Sequence, residues 1–246
     1  MKKLLIPFAL LLLFTMGCRR TATNDVDTKA YSYADSVYIE NEFDEGYSYY
    51  SVNLDVPVTG NDSLCLNILH WMLSSETEDY KAFTQEESER FFSEEGREPR
   101  SAMEDNYTLS EQTDKYLTYI TEGYLYTGGA HPLPWYFGTT FSKVDNKIVG
   151  YDLFEDPQQL IDIIAENIKQ QYFDKYNTEE EEYFFEPEEN FGLPKNEPWI
   201  ETDSVVFCYE AYEIAPYAAG LPLCKIALSD LKPYLSEKGK SLINND

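Results

Sequence analysis

Histidine, cysteine and positive charge are all scarce in this sequence. Its 246 residues include two histidines, His70 and His131. That excludes a multi-histidine metal centre. The four cysteines (Cys18, Cys65, Cys208 and Cys224) form no CxxC pair and no Cys/His spacing. A zinc module and a dense disulfide scaffold are therefore both excluded. Lysine and arginine number 19 against 45 aspartates and glutamates, giving a formal charge of −26. So acidic a chain has no basic patch for nucleic acid or anionic lipid. It favours cationic partners instead. Beyond the first residues no apolar run is long enough to cross a bilayer. Neither a cofactor nor a resident metal is expected.

The chain opens MKKLLIPFALLLLFTMGC. Lys2 and Lys3 form a positive start, and Leu4 to Met16 is apolar but short for a membrane span. Residues 1–17 read as a signal peptide. A cysteine behind a small residue at this point resembles a bacterial lipoprotein signal, which implies lipidation of Cys18. Residues 18–30 are then a tether. The expected location is the bacterial cell envelope, periplasmic or surface, with the membrane held through the lipid on Cys18.

The periodicity behind the tether indicates an α+β fold, an antiparallel sheet packed by helices on one face. Tyr47 to Val58 alternates as a strand. Asp62 or Ser63 is placed to cap a helix from Leu64, with Leu64, Ile68, Trp71 and Met72 inward and His70 beside them. Glu76 to Asp114 reads as an amphipathic helix followed by loop. Tyr116 to Tyr126 reads as a strand interrupted by Gly123, a possible bulge. Trp135 to Lys143 and Lys147 to Tyr151 continue the sheet. Asp156 and Pro157 open a helix whose inner face holds Leu160, Ile161, Ile164, Ile168 and Phe173. The run NTEEEEYFFEPEEN, Asn177 to Asn190, reads as an exposed loop or helix end, or as a contact for cations. SVVFCYEAYE, Ser204 to Glu213, is the clearest strand, and Leu223 to Leu228 is another. Ser229 or Asp230 caps a short helix, and the tail reads as loose. The expected division is an N-terminal subdomain over 31–115, a C-terminal domain over 116–236 and a tail over 237–246. Cys208 and Cys224 form a disulfide if their strands bring the Cα atoms within about 7 Å; otherwise they are buried thiols.

Two stretches concentrate unusual residues. YTGGAHPLPWYF, Tyr126 to Phe137, combines Gly128, Gly129 and His131 with two prolines and three aromatics. YEIAPYAAG, Tyr212 to Gly220, combines Tyr212, Pro216, Tyr217 and Gly220. The glycines and Pro216 suit tight corners. His131 either hydrogen-bonds a neighbouring strand or the second loop, or serves as a base with Asp152, Glu155 or Asp156. Trp135, Tyr136, Tyr212 and Tyr217 are suited to stacking on sugars or anchoring a protein partner, or else to burial.

Together with GYDLFEDPQQL and the strands flanking YEIAPYAAG, these motifs resemble the extracellular domain of RsiV-type anti-sigma factors, which sense lysozyme. The resemblance spans about Tyr116 to Leu235, and more weakly Tyr31 to Leu73. The same domain occurs beside polysaccharide deacetylases and alone in lipoproteins. The resemblance implies an α+β fold and a stand-alone envelope lipoprotein. With a signal peptide read at residues 1–17, no cytoplasmic sigma-binding segment is expected, nor is a deacetylase metal triad. The leading expectation is a binding module for a lysozyme-like cationic protein or a cell-wall glycan. The alternatives are an envelope hydrolase using His131 with a carboxylate, and a structural envelope component.

Overall fold

Val52, Leu54 and Val56 face one way along a single strand and are buried, while Asn53 between them faces solvent. That alternation makes β2 (Glu45–Thr59) the spine of a six-stranded sheet. The computed structural model describes residues 25–94, 96–176 and 191–243, with backbone only at 172–176. Cys18, the Phe173 side chain and the acidic run from Asn177 to Asn190 lie outside the described residues.

The sheet runs in sequence order: β1 (Asp27–Glu40), β2, β3 (Ala102–Gln112), β4 (Tyr116–Tyr126), β5 (Leu133–Ser142) and β6 (Ile148–Val149). Every pairing is antiparallel except β2 with β3, which is parallel. β3 and β4 pair on either side of residue 115. A second sheet holds β7 (Trp199–Glu201), β8 (Ser204–Cys208) and β9 (Leu223–Ala227), all antiparallel. The fold is α+β.

Helices α1 (Asp62–Leu73) and α2 (Tyr80–Ser93) cover one face of the large sheet. Leu64, Ile68 and Met72 meet Leu54 and Val56, with Leu117, Tyr119 and Phe141 in the same core. The small sheet covers part of the other face. At this junction the buried hydroxyls of Thr118 and Thr140 lie 2.9 Å apart. Thr118 donates to the Ile200 carbonyl, and Thr140 accepts the Ile200 N–H, each at 2.9 Å. Buried backbone at the sheet-sheet contact is thereby satisfied. Helix α3 (Ile161–Tyr176), entered through a 3₁₀ turn at Pro157–Leu160, packs Leu160, Ile164 and Ile168 on the far side of the small sheet.

Several expectations are corrected. The α1 cap is Asn61, whose side chain accepts the Leu64 N–H at 3.1 Å; Asp62 sits in the first turn. The segment after α2 is strand β3, not loop. The tether ends earlier than residue 30, because Val26 is buried and both its backbone groups bond Gln112. Gly123 is no bulge: it stays in register opposite Asp105 and Trp135. A β-carbon there would lie 2.8 Å from the Trp135 ring and strike the Glu104 carbonyl. The strand SVVFC stops at Cys208, and Tyr209 to Glu213 turns, with Glu213 accepting the Glu210 N–H at 2.8 Å. The last segment forms α4 (Glu237–Ile243), anchored by buried Leu242, and is not loose.

Cys208 and Cys224 do not form a disulfide. Their strands are neighbours, but the register pairs Cys208 with Leu223 and Cys224 with Phe207. The offset of one residue sends the two thiols to opposite faces of the sheet. Cys224 enters the core under α3, and Cys208 enters the core between the sheets. Both are free and buried, which pushes each thiol up to about 12.

Candidate functional site

The two glycine- and proline-bearing loops meet. The turn after β4 uses positive φ at Gly128 (92°) and Gly129 (113°), where a side chain would be strained. The Tyr126 hydroxyl closes it by donating to the Gly129 carbonyl at 3.0 Å. This presents His131 to solvent. On the other side, Tyr212 takes a left-handed φ of 67°, and Pro216 starts a 3₁₀ turn at Tyr217–Ala219 that Gly220 ends at φ 80°.

His131 bridges these loops. Its ring stacks on Tyr217 with centroids 3.6 Å apart and planes at 14°. Nε2 lies 2.9 Å from the Tyr212 hydroxyl, and Nδ1 lies 3.2 Å from the Pro132 carbonyl. A carbonyl only accepts, so Nδ1 carries a proton, and the Nε2–Tyr212 contact is a hydrogen bond with either atom as donor. The ring is exposed. Of the two structural readings open in the sequence, the bond to the second loop is the one observed.

Two of the carboxylates that a catalytic His131 would use, Asp152 and Asp156, are engaged elsewhere. Asp152 accepts from Gly150 N–H at 3.0 Å and from Lys238 Nζ at 2.5 Å. Asp156 caps Gln158 at 3.2 Å. Among the described residues no carboxylate bonds His131, and no three His, Cys, Asp or Glu side chains converge as a metal site.

Beside the clamp lie two adjoining depressions of about 310 and 240 Å³. Both are bordered by Pro134, Ala211 and Leu221; Tyr217 lines the first, and Trp135 and Tyr136 the second. All five predicted residues thus fall in one region: His131, Tyr212 and Tyr217 form the clamp, and Trp135 and Tyr136 line the groove. Trp135 is fixed by its indole N–H, which donates to Asp105 at 3.1 Å, and by the space that Gly123 leaves. Tyr136 meets the buried Trp199 edge-on at 6.0 Å, and burial raises its hydroxyl pKa.

Asp105, Leu133, Pro134 and Glu210 escaped the sequence reading. Asp105 sits in the strand read as loop. Burial raises its carboxyl to about 6, while Trp135, Tyr107 and the Asn106 N–H hold it down against a larger rise. Leu133 is 46% exposed at the groove mouth; an apolar residue between two prolines was the available signal.

Residues 151–229 match the family described as a protein of unknown function (DUF3298). The match takes in the Tyr212–Gly220 loop and stops short of His131. The structure is similar to the crystal structure of a member of that family from Bacteroides fragilis, with a TM-score of 0.72 and 16% identity over 92% of this chain and 100% of that one. It is also similar to a DUF3298 family protein from Pseudomonas aeruginosa, with a TM-score of 0.56 and 16% identity over 88% of this chain and 97% of the other. At such identity the likeness speaks for the fold. None of the curated proteins matches the chain.

Proposed function

We propose that the chain is an RsiV-like lipoprotein of the cell envelope, anchored through Cys18, whose folded part binds a cationic protein of the lysozyme kind. One observation carries this reading. The two loops that bear the family resemblance converge on an exposed, pre-arranged aromatic clamp, His131–Tyr212–Tyr217, beside an open apolar groove. Rings held rigid before binding lose little entropy on contact, which suits hot-spot anchors. The formal charge of −26 favours encounter with a basic ligand. The hydrolase alternative has no such support, since no carboxylate or nucleophile reaches His131 among the described residues.

A glycan ligand is the second reading, favoured by Trp135 and Tyr136 lining the groove. The test is calorimetric titration with a basic lysozyme at low salt, alongside sedimentation with insoluble peptidoglycan. The proposal expects lysozyme binding that weakens with salt and with Tyr217→Ala. Binding to peptidoglycan alone would move the function to the second reading, and binding to neither would end both.

A further inference from the structure

Among the described residues, no element covers the outer face of β1, β2 and the start of β3. Helices α1 and α2 lie on the opposite face, and the small sheet covers the part from Thr118 and Thr140 to Ile120, Gly138 and the edge of Tyr136. The pairing registers define what the open part displays. Tyr38 stands opposite Tyr47, and Tyr49 lies two residues along β2. One rung further, Ser51, Glu104, Tyr124 and Pro134 stand in a row across four strands. The next row is Asn53, Asn106, Glu122 and Tyr136. Pro134 and Tyr136 also line the groove, so this face runs into the site described above.

Its chemistry is one-sided. The outward positions of β1 to β5 include Glu45, Glu104 and Glu122 but no lysine or arginine. Among the described residues none of these three carboxylates forms an ion pair with a lysine or arginine. Tyr38 donates to Glu45 at 2.5 Å, and Tyr124 to Glu104 at 3.0 Å. Those bonds fix both partners and leave ring faces open. Tyr47 is 68% and Tyr38 49% exposed; the two rings meet edge to face with centroids 5.5 Å apart and leave most of their area to solvent. No cation sits over these tyrosines among the described residues, although on the other face Arg97 lies 4.0 Å from the centroid of Phe91.

Aromatic faces interleaved with carboxylates match a guanidinium, which stacks on the ring and forks its N–H groups to the carboxylate. Adjacent strands are about 4.8 Å apart and outward residues along a strand about 6.8 Å apart, close to the side-chain spacing of an extended peptide. We propose that this tyrosine–glutamate face is a docking surface for an arginine-rich extended segment of a cationic protein partner. The inference rests on the cationic-partner reading and extends its footprint from the clamp, across the groove edge, to the β1–β2 hairpin.

A deca-arginine peptide is the probe, titrated into the purified protein at low salt and followed by calorimetry. Two double variants alter the face, Glu104→Gln with Glu122→Gln and Tyr47→Ser with Tyr49→Ser; a third, Asp230→Asn with Glu237→Gln, removes equal charge at the far end of the fold. Thermal melts confirm folding. The expected result is a loss of about tenfold or more for either face variant and under about twofold for the distal one. Equal losses from the face and the distal charges, or no binding, would overturn the proposal. So would a face that instead binds neutral chito-oligosaccharide, or self-association that depends on Tyr47 and Tyr49. His131→Ala separates the two claims. If lysozyme capture fails but deca-arginine still depends on the face, the face stands and lysozyme falls as ligand. If lysozyme is captured through His131 while deca-arginine ignores the face, the clamp stands and this inference falls.

Discussion

The imidazole of His131 lies flat on the ring of Tyr217, 3.6 Å away, and so joins two loops that are far apart in sequence. The second loop is rooted in the core through Ile214, Ala215 and Ala219, whereas the turn at Gly128–His131 is exposed. The contact and the Tyr212 hydroxyl bond fix the relative position of the two segments that carry the candidate function.

Tyr217→Ala removes the stack and leaves the sheet untouched. The expected loss of global stability is below about 2 kcal/mol, because a partly exposed aromatic pair contributes little more. Hydrogen exchange across residues 127–132 should accelerate, while the amides of β4 and β5 stay protected. Faster exchange throughout both strands would show that the clamp serves the fold and not the loop.

Gly138→Ala tests the junction between the sheets. A β-carbon at Gly138 strikes the fully buried indole of Trp199. Overpacking of this kind costs about 1–3 kcal/mol. The midpoint of thermal unfolding should fall, and fluorescence of buried tryptophan should shift. An unchanged melting curve would contradict the packing described.

The pH dependence has a definite sign. Asp105 has its folded carboxyl raised to about 6 by burial, against 3.8 for an ordinary aspartate. Between those values the folded protein binds more protons than the unfolded chain, so this group makes stability fall as pH rises through the window. A shift of about two units corresponds to about 3 kcal/mol at most. Asp105→Asn, which keeps an oxygen for the Trp135 indole, should flatten that slope and stabilise the protein at neutral pH. Denaturant titrations of both proteins at several pH values check this, and parallel slopes would refute it.

Free thiols give a further check. Cys208 and Cys224 are buried on opposite faces, whereas Cys65 is half-buried. Native alkylation should reach Cys65 alone, and reductant should leave the melting temperature unchanged. A drop on reduction would mean a disulfide exists.

Much of this fold was legible because one face of most elements is buried. The alternation in Glu45–Thr59 and the spacing of Leu64, Ile68 and Met72 report burial against each other. β1 and β3 were not legible for the same reason inverted. β1 is an edge strand, and both lie where the outer face is open, so Ser32, Glu104 and Asn106 stand where an apolar residue would have marked a strand. In Ser204–Glu213 the apolar pattern runs past the strand end at Cys208, and the chain then turns, with a left-handed φ at Tyr212. The disulfide question turned on a single-residue register that no pattern within either strand reveals. The site residues were legible as glycine- and proline-rich clusters. That His131 would meet tyrosines and not carboxylates depends on how two distant loops pack.

Hydrogen-exchange footprinting of the protein with and without a basic lysozyme tests the central claim most directly. The account predicts protection that includes residues 127–137 and 209–221 and is lost there in Tyr217→Ala. Protection elsewhere with those two segments unchanged, or no protection at low salt, would contradict it.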